Sequence, residues 1–260
     1  MVVFAGQGDA RRSMALLWRR PLDEEPKPGP KQGLTVDAIV AAAIEIADEY
    51  GMAALSMRAV GERLGRTGMA LYTYVPSKSE LVDLMYDTVI AEVHHTHDLT
   101  GGWRPALTAW ATGLWAFYLR HPWVLQVSQA RPVLGPNEYV VLDEVLRILF
   151  ETGLDPAATR QLTGALFQFV RGVAQVVAEA RDAAAATGTG DDEWWYARSA
   201  LLEEMATDFD QRFPMVAKLA RAGGFTLGDE TVPYQEQAAT ETFHAGLTAL
   251  LDGIEKRVSG

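Results

Sequence analysis

Residues 55–81 read LSMRAVGERLGRTGMALYTYVPSKSEL, and three helix starts can be placed within them. Ser56 can N-cap a first helix, because its hydroxyl can accept a hydrogen bond from a free N–H group of the first turn. Gly65 tolerates the left-handed conformation of a helix C-cap and should end that helix. Thr67 can cap a second, short helix, which Pro76 should end because proline disfavours the α conformation in the residue before it.

A third helix should follow at once, because Ser77 and Glu80 form an S-x-x-E capping box. Two short helices around a three-residue turn that contains glycine are typical of a helix-turn-helix. The second helix of such a unit has the right size for a major groove. The stretch therefore predicts that the chain binds double-stranded DNA.

One more helix should precede this motif and complete a three-helix head over residues 34–80. Thr35 can N-cap it and Gly51 can close it, and Leu34 and Ile39 stand at hydrophobic-staple spacing around the cap. The head should be packed through apolar residues at helical spacing. These are Ile39, Ala43, Ile46, Leu55, Val60, Leu64 and Leu71.

The net charge of −11 is unevenly distributed along the chain. Residues 1–80 carry ten basic and ten acidic side chains, whereas residues 81–260 carry thirteen and twenty-four. Residues 53–78 have four basic side chains against one acidic side chain, a local charge of +3. Phosphate binding responds to the local patch, so an acidic body is compatible with a DNA-binding head.

Composition excludes several classes of protein. No apolar run approaches the ~18 residues of a membrane span, and the apolar segment Met14–Trp18 is shorter than a secretory signal. The chain has no cysteine, which excludes disulfides and thiolate metal sites. We expect a bacterial-type cytoplasmic protein that has no membrane partner.

Residues 1–33 are rich in glycine, proline and charge, which predicts a flexible N-terminal arm. Its basic residues could contact phosphate or the minor groove, and a solvated tail is the alternative. They include Arg19, Arg20, Lys27 and Lys31.

Residues 81–260 show helical periodicity without the alternation of strands or a fixed repeat, so the predicted class is all-α. A connector helix should run from Ser77 to about His97 and join this domain to the head. The remaining helical segments are predicted at 103–120, 122–130, 136–152, 156–185, 192–222 and 233–257.

The segment LYTYVPSKSEL, residues 71–81, resembles the DNA-binding domain of the tetracycline-repressor (TetR) family. Weaker similarity to the ligand-binding domain of the tetracycline repressor extends the resemblance over roughly residues 34–260. It rests on His94–His97, Trp103, Arg131-Pro132, Phe243–Leu247 and Ile254–Lys256. The resemblance implies an all-helical, homodimeric repressor without a cofactor, in which residues 81–260 bind a small-molecule effector and dimerise.

Four features depart from the family pattern. Arg66 occupies a turn position where an aliphatic residue is usual, and Gly68-Met69-Ala70 gives the recognition helix a small, apolar start. Trp110 stands where the tetracycline repressor has an amide that grips the drug. No histidine stands near Val127 and Ser128, where that repressor binds magnesium. These departures argue against tetracycline as the effector.

Several residues of the head are candidates for DNA contact. Arg58 could reach a guanine or a phosphate, as matching family members use this position, and a solvated arginine is the alternative. Tyr72 and Tyr74 could bind phosphate through their hydroxyls or simply pack. Lys78 at a helix N-terminus is better explained if a phosphate is bound there. The first residues of the recognition helix should face bases, and Thr73 could also reach a base. These first residues are Thr67, Gly68, Met69 and Ala70.

Aromatic residues crowd the region after Trp103, where Trp103, Trp110, Leu114 and Phe117 form one helical stripe. The stripe is either core or the wall of an apolar cavity with a few polar points. The candidate ligand-binding residues are His94, Trp110, Leu114, Trp115, Trp123, Gln126, Arg131 and Gln168.

The histidines His94, His95 and His97 raise the question of a metal site. No nearby carboxylate or cysteine completes a set of three or four ligands, so we expect no metal there. The resemblance instead implies that His94 hydrogen bonds the effector.

Helices 156–185 and 233–257 carry more apolar residues than one domain face needs, which predicts a four-helix bundle across a two-fold axis. The residues concerned are Leu162, Leu166, Phe169, Val173, Phe243, Leu247, Leu250, Leu251 and Ile254. The sequence thus favours a homodimeric repressor that reads an inverted-repeat operator and is released by an apolar or aromatic molecule. A regulator that responds to a protein partner, and a helical enzyme, are the alternatives.

Overall fold

The structure is a computed structural model, and it describes residues 3–20, 34–93, 95–228 and 231–259. The chain forms two compact units. One contains the chain up to Arg171 together with the stretch from Leu251 onward, and the other contains Gly172–Leu250. Within these residues the regular structure is helical, and β structure is limited to one isolated bridge between Val3 and Val127. No described helix is long and apolar enough to cross a membrane.

The first unit contains the N-terminal helices in chain order. They are α1 (Ala10–Leu17), α2 (Val36–Tyr50), α3 (Met57–Arg63), α4 (Gly68–Leu71), α5 (Lys78–Ile90), α6 (Trp103–Arg120) and α7 (Pro136–Phe150). Two short 3-10 helices, Ala91–Val93 and Pro122–Gln126, follow α5 and α6.

Two long helices run through both units, and three shorter helices lie in the second unit alone. The long helices are α8 (Pro156–Thr187) and α12 (Tyr234–Val258). The shorter helices are α9 (Asp191–Met205), α10 (Phe209–Arg212) and α11 (Pro214–Arg221).

The head forms as its caps predict. The Thr35 hydroxyl accepts a hydrogen bond from the Ala38 N–H at 3.1 Å, and Gly51 ends α2 with a φ of 75°. Burial of the predicted core is nearly complete, with Leu64 half-buried. The buried residues are Ile39, Ala43, Ile46, Leu55, Val60 and Leu71.

The connector helix α5 is buried almost all round and is tied to α7 by a carboxylate. Asp87 accepts hydrogen bonds from the backbone N–H groups of Asn137 at 3.0 Å and Glu138 at 3.1 Å. It thereby caps the N-terminus of α7 from a neighbouring helix. Gly135 is required beside it, because a Cβ there would lie 2.0 Å from the Asp87 carboxylate.

Three predicted elements differ in the structure. The connector helix ends at Ile90 and not near His97, and the segment 122–130 is helical only over Pro122–Gln126. The segment 192–222 is not one helix, because the chain leaves the α conformation at Ala206 and Phe213 before Pro214 starts α11. Proline is favoured at a first helical turn and disfavours the α conformation before it.

The predicted flexible arm is wrong for residues 3–20. Residues 10–17 form α1, Asp9 caps it by accepting from the Arg12 N–H at 2.8 Å, and Ser13 and Leu17 are buried. Burial of apolar surface stabilises this helix, although the composition of the segment predicted a flexible arm. Lys27, Lys31 and the rest of 21–33 lie outside the described residues.

Candidate DNA-binding surface and effector cavity

The helix-turn-helix is built from α3, a turn and α4. The Ser56 hydroxyl caps α3 by accepting from the Ala59 N–H at 3.1 Å, and Gly65 enters the turn with a φ of 64°. Thr67 has the extended conformation of an N-cap, but its hydroxyl makes no capping hydrogen bond. Helical hydrogen bonding continues past α4, since the Val75 N–H donates to the Leu71 carbonyl at 2.9 Å.

Two glycines allow α3 and α4 to approach closely. A Cβ on Gly61 would lie 2.8 Å from the Gly68 backbone nitrogen, and a Cβ on Gly68 would lie 3.0 Å from the Met57 carbonyl oxygen. Both distances are too short for a side chain against a backbone that cannot move independently. Gly68, a predicted DNA contact, therefore has a packing role that fixes the angle of the motif.

Most of the predicted DNA contacts share one property, which is access to solvent. Met69 is 76% exposed and Tyr72 is 42% exposed. Arg58, Thr67, Thr73 and Lys78 are also exposed, whereas Gly68, Ala70 and Tyr74 are half-buried.

The local positive charge of the head is smaller than the sequence suggests. Arg63 is turned toward α2, where its guanidinium lies 3.2 Å from Glu45 and 2.7 Å from Glu49. Arg58 lies 3.7 Å from Glu62 in an exposed pair, which contributes little to stability and can open to a phosphate. Arg66 and Lys78 are exposed. The positive charge available to DNA thus lies at Arg58, Arg66 and Lys78.

A cavity of about 360 Å³ opens in the first unit. Its walls come from α5, the segment 127–134, α7 and the first half of α8. The apolar lining residues are Ile90, Val127, Pro132, Val133, Leu134, Val141, Leu142 and Phe167, and the polar or aromatic ones are Tyr86, Ser128, Gln129, Glu138, Tyr139 and Gln168. An apolar wall with a few polar groups is typical of a small-molecule site.

Glu138 is the one acidic group among the described lining residues. Burial, followed by the charge of Asp87, raises its pKa, while hydrogen bonds from the Leu134 N–H at 2.7 Å and from Tyr86 oppose the rise. Burial also raises the pKa of the Tyr86 hydroxyl well above its usual value. The cavity therefore presents a hydrogen-bonded carboxyl and a neutral phenol in an apolar wall, without a basic side chain among its described lining.

Of the predicted ligand-binding residues, Gln168 lines this cavity, and its amide donates to Gln129 at 3.3 Å. Four others are buried in the core, because the inward face of α6 and the segment after it pack against the rest of the unit: Trp110, Leu114, Trp115 and Trp123. Gln126 and Arg131 are not among the lining residues, and His94 lies outside the described residues. The core alternative thus applies to the aromatic stripe.

Trp110 lies one layer behind the wall. Its ring meets Phe167 edge to face with 5.0 Å between centroids, and Phe167 lines the cavity. The buried indole N–H of Trp110 has no hydrogen-bond partner among the described residues. A molecule bound in the cavity would contact Phe167, and a shift of Phe167 would change the surroundings of the Trp110 ring.

Arg171 supports the cavity wall and was missed by the sequence analysis. Its guanidinium donates to the carbonyls of Leu125 at 2.5 Å and Val127 at 3.0 Å, and lies 6.0 Å from the ring centre of Tyr118. An arginine satisfies several carbonyls of a non-helical segment at once because its donors form a fixed fork. Nothing in the sequence distinguishes it from an exposed helical arginine.

A second polar cluster joins the head to the segment after α6. Asp48 of α2 accepts from the Trp123 indole N–H at 2.7 Å, and its carboxylate lies 2.7 Å from His121 Nδ1. Trp123, a predicted ligand-binding residue, is thus engaged with the head.

His97, from the histidine cluster, contacts a carboxylate. Glu144 accepts from the His97 backbone N–H at 2.8 Å and from Arg147 at 2.8 Å. Although partial burial opposes it, these bonds and the contact with the His97 ring lower the Glu144 pKa to about 2. No group of three or more His, Asp or Glu side chains suited to a metal occurs in the described part of the chain.

Two family models match this chain and together cover most of it. The model described as "Bacterial regulatory proteins, tetR family" matches residues 39–85, and the one described as "Tetracyclin repressor-like, C-terminal domain" matches residues 97–258.

Named relatives agree with these matches. The "HTH-type transcriptional repressor DrrR1" of Streptomyces coeruleorubidus is 39% identical, over 98% of this chain and 89% of the relative. The Escherichia coli "Tetracycline repressor protein class A from transposon 1721" is 26% identical, over 86% of this chain and 92% of the relative. The crystal structure of the Streptomyces coelicolor TetR family protein ActR in complex with actinorhodin superposes with a TM-score of 0.68 at 26% identity, covering 88% of this chain and all of that one.

Proposed function

Because this chain belongs to the TetR family of transcriptional repressors, we propose that it binds an inverted-repeat operator as a homodimer and is released by an apolar, aromatic small molecule. One observation carries the proposal. The helix α5 starts at Lys78, directly after the helix-turn-helix, and supplies Tyr86 and Ile90 to the cavity wall. A molecule in the cavity therefore touches the same 13-residue helix that follows the DNA-binding motif.

The exposed start of α4 supports major-groove binding. Met69 and Ala70 offer methyl and methylene groups that suit the thymine methyl, and Thr67 and Thr73 offer hydroxyls. The exposure of Arg58 supports a contact with a guanine or a phosphate, and the exposure of Lys78 and Tyr72 supports contacts with the DNA backbone. Gly68 supports this surface because it allows α4 to pack closely on α3.

Dimer formation is supported by exposed apolar surface in the second unit. Most of the residues predicted for the four-helix bundle, namely Leu166, Phe243, Leu247, Leu251 and Ile254, are already buried within one chain. By contrast, α9 has no buried residue at all. The exposed large apolar residues of α9 and α11 are Trp194, Trp195, Tyr196, Leu201, Leu202, Met205, Met215, Val216 and Leu219.

An exposed apolar surface of this extent marks a protein interface. We assign it to a second copy of this chain, since an inverted repeat requires two heads related by a two-fold axis. Leu162, Phe169, Val173 and Leu250, which were also predicted for the bundle, are half-buried.

The chemistry of the cavity supports a neutral or cationic aromatic effector. Its lining is mostly apolar, its carboxyl is Glu138, and no basic side chain occurs among the described lining residues, so an anion would lack a partner. The structural neighbour ActR has been solved in complex with actinorhodin, which supports a small-molecule effector for this chain as well. The proposed repressor would act in the cytoplasm, where its operator lies.

Selection from random duplexes tests the DNA part, because it requires no knowledge of the operator. The selected sequences should contain two related half-sites in inverted orientation, about one helical turn apart. Sedimentation at micromolar concentration should give a dimer, and Leu202→Glu on α9 should shift it toward monomer. Glu203→Gln, an exposed neighbour on the same helix, is the control.

A panel of neutral and cationic aromatic compounds tests the effector part, and actinorhodin is assayed as a separate probe because it is the molecule bound to ActR. At least one compound should release the selected duplex, and Phe167→Ala in the cavity wall should weaken that release. A regulator that responds to a protein partner would bind the duplex and ignore the whole panel. A clean monomer that selects no repeat would contradict the proposal outright.

A further inference from the structure

Residues 3–20 pack along the connector helix through buried polar contacts. The Gly6 N–H donates to the Asp83 carboxylate at 3.0 Å, and the Ser13 hydroxyl donates to Glu80 at 3.3 Å. Asp83 is 2% exposed and Glu80 is 4% exposed. A Cβ on Gly8 would lie 1.9 Å from the Glu80 carboxylate, so a side chain at this position would displace that carboxylate.

The same segment contacts the cavity rim at both of its ends. The Val3 N–H donates to the Gln126 carbonyl at 2.9 Å, and the Ser128 N–H donates to the Val3 carbonyl at 2.7 Å. At the other end, the Trp18 indole N–H donates to the Leu134 carbonyl at 3.0 Å. The Trp18 ring also lies 6.3 Å from that of Tyr139. Ser128, Leu134 and Tyr139 all line the cavity.

The residue after Trp18 reaches the head. The Arg19 guanidinium forms an ion pair with Asp37, which lies in the first turn of α2. Arg19 adopts this position with a φ of 51°, a left-handed conformation that is uncommon for a residue other than glycine. Two consecutive residues of one turn, Trp18 and Arg19, thus contact the cavity rim and the first helix of the head.

We propose that residues 3–20 form an intramolecular brace that couples the cavity rim at Leu134 and Tyr139 to the N-terminus of α2. This inference rests on the proposed function, since it gives the effector a second route to the head besides α5. The buried contacts with Glu80 and Asp83 hold the brace on α5, so a displacement of the rim moves Trp18 and, with it, Arg19. Such a coupling is reciprocal, because both sites act on the same segment. A change at the cavity rim should affect the N-terminus of α2, and a change at the N-terminus of α2 should affect the rim.

Hydrogen–deuterium exchange on the full chain tests the brace without DNA or effector. Trp18→Phe keeps the ring but removes the indole donor to Leu134, and Arg19→Gln removes the charge that pairs with Asp37. Both side chains are partly exposed, so the variants should fold, which a thermal melt checks. Arg11→Gln, an exposed arginine of α1, is the matched control for the loss of charge.

Each variant should act at the far end of the brace. We expect Arg19→Gln to speed exchange in residues 134–142, and Trp18→Phe to speed exchange in residues 36–50, each by about threefold or more. Arg11→Gln should change neither segment. If either variant alters exchange at its own end alone, the segment is a passive cover and the proposal is overturned. The proposed repressor function would survive that result, because its tests use DNA and effector.

Discussion

Lys78 and Arg58 are both exposed cations of the head, but their positions predict different effects on DNA binding. Lys78 is the first residue of α5, where the positive end of the helix dipole and the lysine charge should both attract a phosphate. Arg58 lies in the first turn of α3, and we propose that it reaches a base edge. Lys78→Ala should therefore weaken binding to all duplexes and reduce the salt slope by roughly one unit. Arg58→Ala should relax preference at one base pair in each half-site.

Binding titrations at several salt concentrations, with selected and scrambled duplexes, measure both effects. Lys218→Ala is the control, because this lysine is exposed on α11 in the other unit. An unchanged slope in the Lys78 variant would remove that residue from the set of phosphate contacts.

Gly61 is a position where one methyl group should disturb the whole motif. A Cβ would lie 2.8 Å from the Gly68 backbone nitrogen and 2.9 Å from the Arg66 carbonyl oxygen, and neither is the flexible end of a side chain. We expect Gly61→Ala to lower the free energy of unfolding by about 1–3 kcal/mol, since overpacking forces the backbone apart. DNA affinity should fall as well, because α4 would be displaced from α3. Urea denaturation and duplex titration give the two measurements.

Gly113 in α6 provides the comparison for this substitution. It is also a helical glycine, but a Cβ there would meet no atom within 4 Å. Gly113→Ala should leave DNA binding unchanged and stabilise the protein by up to about 1 kcal/mol, the helix propensity difference. Equal effects of the two substitutions would show that the close approach of α3 and α4 is not needed.

At the scale of elements, the contact between the N-terminal segment and α5 should depend on pH. Burial, followed by the charge of Glu80, raises the pKa of Asp83 from 3.8 to about 6, against the effect of the Gly6 N–H. A raised folded-state pKa means that its stabilising contribution is fully present below about pH 4 and is lost as pH rises through 6. Asp83→Asn should therefore be more stable than the parent at pH 8, by on the order of 1–3 kcal/mol, and show a smaller gain near pH 4.

Urea denaturation of both proteins at pH 4.5, 6 and 8 measures this difference. Asp143→Asn is the control, because Asp143 is an exposed carboxylate of α7. A difference between parent and Asp83→Asn that stays constant with pH would contradict the argument.

Local signals predicted those elements whose ends are set by neighbouring residues. The Thr35, Ser56 and Ser77 caps all form hydrogen bonds to the N–H three residues on. The Ser77–Glu80 box was only half right, because the Glu80 carboxylate bonds the Ser77 and Ser13 hydroxyls and not the Ser77 backbone. One of its two partners, Ser13, is 67 residues away, and no local pattern contains that information.

The cavity could not be located for the same reason. Its wall combines residues from four segments between Tyr86 and Gln168, and helical periodicity shows only that a face is apolar. The stripe Trp110–Leu114 was correctly recognised as inward-facing, but whether it faces a void or packed side chains depends on α7 and α8. The family resemblance predicted the architecture. The positions of Trp110 and Val127 relative to the cavity could be determined only from the structure.

At the scale of the whole molecule, the charge and the apolar surface are divided between different parts. The head has nearly balanced charge, and the acidic excess lies after residue 80. An acidic body repels the DNA backbone, so that binding depends on the few cations of the motif. Non-specific binding should be weak, and exposed α9 should direct association toward a second copy of the chain.

The lining of the cavity differs from what the resemblance to the tetracycline repressor implies. The resemblance implies a magnesium-binding histidine in the tetracycline repressor, and Mg²⁺ demands a near-ideal octahedral set of ligands. The described lining of the cavity offers Glu138 but no histidine, and Val127 lies where the resemblance places the metal-binding residue. Trp110, which replaces an amide, is buried behind Phe167 and cannot supply the missing acceptor.

A tetracycline–magnesium complex should therefore bind this protein weakly, with a Kd above about 10 µM, which corresponds to less than roughly 7 kcal/mol of binding free energy. Tryptophan fluorescence measures it directly, since Trp110 adjoins the wall residue Phe167. Titration of tetracycline with magnesium chloride should match titration with EDTA, because no metal-dependent site is expected. Phe167→Ala serves as a check that quenching comes from the cavity. Tight, magnesium-dependent quenching that His94→Ala abolishes would mean that the departures from the tetracycline repressor have been misinterpreted.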